Sequence, residues 1–201
     1  MEKFSKFNDP FTGINPFIQT KLKPINKLKA IIFLPIYLLS LIHPVFLRLL
    51  FKIKIENKPI KQIRTMICNS VTPFDIPLLK MIFKINNFYF LRDDNFYDKN
   101  FKRVKKVIKP SIIFCEGTST NNKSLLKFNC NFRVDSVCFL KYDQVYTYGS
   151  FCKYLFSILS NTNTVEIKFK HTDDSKDLTK ISGVKQVKFT YKDKEDFMKL
   201  I

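Results

Sequence analysis

Tryptophan is absent and glycine nearly so, with four in 201 residues. Each glycine is therefore a candidate for a backbone position that needs one. Only two histidines occur, His43 and His171, and no two cysteines stand in a C-x-x-C spacing, so no zinc-ligand pattern is present. Cys68, Cys115, Cys130, Cys138 and Cys152 are odd in number and read as free thiols in a reducing compartment. Arginine is scarce as well, five against thirty lysines. Specific reading of nucleic acid favours arginine forks, and no recognition motif accompanies the charge, so nucleic acid is not an expected partner.

What is abundant is phenylalanine, 22 residues, and positive charge, +18 net. The charge favours anionic partners, among them an anionic membrane surface. Part of it needs no partner, because lysine, asparagine, isoleucine and phenylalanine are abundant together, as an AT-rich coding bias produces. At 45% hydrophobic the chain can bury a real core, and its length suits one globular domain plus an appendage.

Three parts follow along the chain. Residues 1–26 are polar and aromatic, with Pro10, Pro16 and Pro24 breaking regular structure. Residues 27–55 form a hydrophobic, membrane-associated segment. Its core, Ala30 to Leu47, is an uncharged run of eighteen. As a straight helix it would be about 27 Å long, close to the ~30 Å hydrocarbon core of a bilayer. Pro35 and Pro44 each remove a helical hydrogen bond, and basic residues flank both sides (Lys21, Lys23, Lys27 and Lys29 before; Arg48, Lys52 and Lys54 after). A bent or re-entrant segment fits these facts, and so does an amphipathic helix buried in a soluble core.

Residues 56–201 alternate strand and helix. Strands are expected at Gln62–Cys68, Phe88–Leu91, Ser111–Phe114, Ser136–Tyr142 and Thr164–Phe169, with an edge strand at Lys185–Tyr191. Helices are expected at Pro73–Phe83, Gly149–Leu159 and Glu195–Ile201. Asn95–Lys109 reads as an amphipathic helix, with Tyr97, Phe101, Val104 and Ile108 as one stripe, and residues 171–183 read as a loop. The alternation implies an α/β fold with a mixed, largely parallel sheet flanked by helices.

Two polar segments each follow an expected strand, where sites form in α/β sheets. One is Asn69-Ser70-Val71-Thr72-Pro73-Phe74-Asp75; the other is Phe114-Cys115-Glu116-Gly117-Thr118-Ser119-Thr120-Asn121. Together they resemble the phospholipid and glycerol acyltransferase family, whose first block is N-H-x-x-x-x-D and whose third is F-P-E-G-T. Their separation of about 45 residues is also similar to that family's. The continuation Lys123–Phe128 resembles lysophospholipid acyltransferases and the ancient ubiquitous protein, a lipid-droplet relative with an acyltransferase-like domain. The likeness covers roughly residues 27–170.

The resemblance implies transfer of a fatty acyl group from acyl-CoA, as co-substrate with no bound cofactor, to a lysophospholipid or glycerol-phosphate acceptor. The expected place is a membrane, the cytosolic face of the endoplasmic reticulum or a lipid droplet. It implies that Asp75 orients the catalytic base, that Asn69, Glu116, Gly117 and Thr118 serve the acceptor site, and that Arg92 is the nearest candidate for a phosphate contact, Arg103 a second. The base itself would be a histidine, and Ser70 occupies its position. A serine hydroxyl is not a general base near neutral pH, and losing such a base costs about 10²–10⁴-fold in rate, roughly 3–5 kcal/mol. Cys115 and Ser136 stand where the family has prolines. The plainer reading of the first block is a capped helix start, with Ser70 or Thr72 as the cap. An inactive relative that binds a membrane or lipid droplet is the alternative function.

Overall fold

The computed structural model describes residues 2–57 and 62–201; Met1 of the N-terminal segment and residues 58–61, at the start of the expected α/β part, lie outside it. In chain order the elements are α1 (Lys27–Ile42), α2 (Leu47–Leu50), β1 (Phe51–Glu56), β2 (Thr65–Cys68), α3 (Asp75–Phe83), β3 (Asn87–Arg92), β4 (Asn95–Tyr97), β5 (Arg103–Val104), β6 (Ser111–Phe114), β7 (Ser136–Tyr142), α4 (Phe151–Ser160), β8 (Asn163–His171), α5 (Asp177–Ser182) and α6 (Tyr191–Met198). Short 3-10 turns span Glu2–Phe7 and Pro44–Phe46.

The eight strands among the described residues form one mixed sheet in the order β1-β8-β7-β2-β6-β3-β4-β5. Its centre is parallel: β7 with β2, β2 with β6, and β6 with β3. At one side β8 runs antiparallel to β7 and parallel to β1, and at the other β4 and β5 return antiparallel. The central strands are short and apolar because both faces are covered. Met66 and Cys68 of β2, with Ile112 and Phe114 of β6, face a core shared with α1, α3 and α4. Ile67 and Ile113 face the opposite side, under Leu125, Val134 and Leu178 of α5. A third cluster joins the two ends of the chain: Phe7 and Phe17 pack with Val187, Phe189 and Phe197 of α6.

The α/β architecture therefore matches the reading of the sequence, and several details do not. The expected helix Asn95–Lys109 is the pair of short strands β4 and β5. Asp98 accepts hydrogen bonds from the backbone N–H groups of Asn100 and Lys102 and closes its own turn, so the helical spacing of the apolar residues is overruled locally. The expected loop 171–183 contains α5. Its six residues carry too few apolar positions to show a period, and Gly183, left-handed at φ +68°, ends it. The expected edge strand Lys185–Tyr191 makes only an isolated bridge, Leu125 to Gln186.

The hydrophobic run differs most from expectation. No described helix is long and apolar enough to cross a membrane. α1 has sixteen residues, about 24 Å. It tolerates Pro35 inside and ends at His43, whose ring accepts from Val45 N as Pro44 opens the next turn. The tail of the same segment is β1, paired along its length with β8. One stripe of α1 (Ala30, Phe33, Leu34, Tyr37, Ser40) packs inward, with Tyr37 edge-on to Phe74 at 6.2 Å between ring centroids. The opposite stripe is equally apolar and faces outward, and nine of the fifteen exposed large hydrophobic residues of the described chain lie between Leu28 and Leu49.

Candidate functional site

Because β2, β6, β3 and β7 are parallel, their carboxyl ends open at the same edge of the sheet, the usual location of ligand sites in such folds. The segment Asn69–Asp75 leaves β2 there, and Cys115–Asn121 leaves β6. The ladder continues past both strands: Cys115 N donates to Cys68 O at 3.0 Å, and Thr120 N donates to Ser70 O at 3.0 Å. The fold thus brings the two sequence blocks side by side.

Asp75 sits in the first turn of α3, only 2% exposed. Its Oδ2 accepts from Ser70 Oγ (3.2 Å), Val71 N (2.6 Å) and Thr72 N (3.0 Å), and its Oδ1 accepts from Thr72 Oγ1 (3.2 Å). Four donors favour the carboxylate, yet burial prevails and lifts its pKa to about 6. Glu116, also 2% exposed, accepts from Leu126 N at 2.7 Å through Oε1, while its Oε2 has no protein partner. Burial raises its pKa to about 8, against the hydrogen bond from the Leu126 backbone; the nearby charge of Asp75 raises it further. Burial thus favours the protonated form of both carboxyls, of Glu116 more than of Asp75. Thr120 Oγ1 and Tyr142 Oη, both buried, also lack protein partners. Burial and then the Asp75 charge push the Tyr142 phenol well up. Tyr142 was missed in the sequence; its place at the end of a strand was the available signal.

The other expected residues have structural employment. Asn69 clamps β2 to β7, donating to Leu140 O at 2.9 Å and accepting from Leu140 N at 2.7 Å. Gly117 has φ +66°, and a Cβ there would overlap the Leu91 carbonyl and come within 2.9 Å of Arg92 Cγ, so only glycine fits. Arg92 donates to Gly117 O at 3.0 Å, pairs with Glu195 at 3.1 Å, and lies between the rings of Phe101 and Tyr191. It braces the glycine turn against α6. Thr118 is partly exposed beside them, and Arg103 is exposed on β5. On the outer side of the loop, Glu116 borders a cleft of about 290 Å³ that also has Asp93, Asp94, Lys127 and Lys192 along it.

Neither histidine hydrogen-bonds Asp75. His43 is exposed at the end of α1. His171 pairs in register with Ser136, at the amino end of β7, whereas the site lies at the carboxyl end beyond Tyr142. Six residues of extended strand separate the two ends, about 20 Å.

The N-terminal segment crosses this edge. Asn121 Nδ2 donates to the carbonyls of Asn15 and Ile18, Gln19 donates to Val145 O and accepts from Thr147 N, and Lys23 N donates to Gln144. Phe17 is fully buried beneath it. Lys194 of α6 is 5% exposed, donates to Thr147 O at 2.9 Å and lies near the rings of Phe17, Tyr148 and Phe197. Burial lowers its pKa to about 8. The candidate site is thus buried under a strap formed by both ends of the chain. The chain matches no known family model, no curated protein and no solved structure.

Proposed function

We propose that this chain is a membrane-surface protein of acyltransferase-like design, docked through α1 on the cytosolic face of the endoplasmic reticulum or on a lipid droplet, and without acyl-transfer activity. The observation that carries the reading is the outward stripe of α1. Leu28, Ile31, Ile32, Leu41 and Ile42 are 57–82% exposed, on a helix too short to span a bilayer. A helix apolar on both faces, packed on one of them and with Lys27 and Lys29 in its first turn, suits the interface between headgroups and acyl chains. Catalytic silence follows from Ser70 and Thr72: the side chains that hydrogen-bond Asp75 are hydroxyls, which cannot hold a proton taken from a substrate hydroxyl.

Two measurements test it. The full chain should sediment with phospholipid vesicles, and Ile32→Asp with Ile42→Asp should abolish that; unchanged sedimentation of the variant would sink the docking. With labelled acyl-CoA and lysophospholipid in the same vesicles, turnover should not exceed that of an Asp75→Ala, Glu116→Ala control. Turnover that disappears in the control would overturn the silent reading.

A second reading keeps the transfer reaction, with acyl-CoA as donor and a lysophospholipid or glycerol phosphate as acceptor. It is favoured by the convergence of Ser70, Asp75 and Glu116 with three buried polar atoms lacking protein partners. Under it Asp75, with its raised pKa, takes the acceptor proton through Ser70, and the rate tracks ionisation of a group near pH 6.

A further inference from the structure

Between Asp9 and Glu56 the chain contains no acidic residue, yet it contains Lys21, Lys23, Lys27, Lys29, Arg48, Lys52 and Lys54. Three of these cations meet in one place. A groove of about 390 Å³ runs between α1, the end of α4 and the chain entering β1, with Lys29, Arg48 and Lys52 on its walls and Phe33 and Leu49 beside them. All three cations are exposed, and none forms an ion pair with a described acidic side chain. The register explains why. Lys52 stands opposite Thr164 on β8, and the one acid on that strand, Glu166, is opposite Lys54 and is shared between Lys54 (4.0 Å) and Lys141 (3.7 Å). Leu49, 61% exposed, continues the apolar stripe of α1 to the lip of the groove.

We infer that this groove is a headgroup site for an anionic glycerophospholipid, the phosphate held by Lys29, Arg48 and Lys52 while the acyl chains lie along Leu49 and the outward stripe of α1. The inference deepens the docking proposed above and rests on it. An arginine fork flanked by two lysines matches the oxygens of a phosphate ester, and an apolar floor next to the charges distinguishes a lipid from a free phosphate. Cations spaced around one groove also act together where a membrane surface presents phosphate, so their effects accumulate.

The test uses the full chain and sedimentation with phosphatidylcholine vesicles, alone or mixed with phosphatidic acid. The wild type should prefer the mixed vesicles. The combined variant Lys29→Gln, Arg48→Gln, Lys52→Gln should keep its binding to phosphatidylcholine and lose the preference, by roughly a hundredfold. Lys102→Gln, Lys105→Gln, Lys106→Gln removes the same charge from the far side of the sheet and should leave the preference intact. If both triple variants lose it equally, or if the groove variant keeps it, the headgroup site is wrong while the docking stands. Failure of the docking has a different signature: Ile32→Asp with Ile42→Asp then binds phosphatidylcholine as well as the wild type. Groove-dependent binding of soluble glycerol phosphate, with no vesicle binding, would overturn the lipid as the source of the phosphate.

Discussion

Asp75 and Glu116 show how a burial-dominated site differs from one built for ion pairing. Each carboxyl is shifted up, so the folded chain holds its proton more tightly than the unfolded chain does. For Glu116 the stabilisation is full below its ordinary value of 4.5 and is lost as pH rises through about 8; for Asp75 the window runs from 3.8 to about 6. Folding stability should therefore fall between mildly acidic and mildly alkaline pH, by on the order of a few kcal/mol if both groups contribute. Glu116→Gln keeps the acceptor for Leu126 N and cannot ionise. Its melting temperature should match the wild type near pH 5 and exceed it by several degrees near pH 8. Parallel pH profiles for the two proteins would refute the buried, protonated Glu116. Lys194 runs the other way: its pKa, lowered to about 8 from 10.5, makes the folded chain the weaker proton holder, so it adds stability as pH rises from about 8 towards 10.5.

At the level of elements, what was legible depended on how long and how periodic each segment is. The strands Ser111–Phe114 and Ser136–Tyr142 were legible because buried central strands are short, continuous apolar runs. The two site blocks were legible because polar residues followed such runs. β4 and β5 were not, since Tyr97, Phe101, Val104 and Ile108 keep a helical spacing while Asp98 turns the chain back. The strap over the site could not be read at all, because Asn15, Gln19 and Lys23 meet residues more than a hundred positions away. That strap makes its own prediction. Phe17→Ala removes a fully buried ring from the cluster joining the two ends of the chain, and should cost about 3–5 kcal/mol. Hydrogen exchange should quicken at Val71 and Thr72, whose amides bond Asp75 beneath the strap, more than at β2. Equal acceleration everywhere would mean that the strap does not cover the site as a separable unit.

At the level of the molecule, +18 net charge and an outward apolar helix invite different explanations, and salt separates them. A charge that merely tracks a polyanion gives binding that falls steeply and continuously with salt until nothing remains. An amphipathic surface has two contributions. The electrostatic one is screened, since the Debye length shrinks from about 10 Å at 0.1 M salt to about 3 Å at 1 M. The apolar one is unscreened: on the proposed docking, the exposed Ile31, Ile32 and Leu38 would bury area against acyl chains whatever the ionic strength. Binding to vesicles containing phosphatidic acid should thus weaken as salt rises and then level off, at the affinity shown for phosphatidylcholine alone. Binding to duplex DNA, measured in parallel, should vanish over the same range. A vesicle curve that falls to zero alongside the DNA curve would assign the whole interaction to charge, and would leave the exposed stripe of α1 to some other partner.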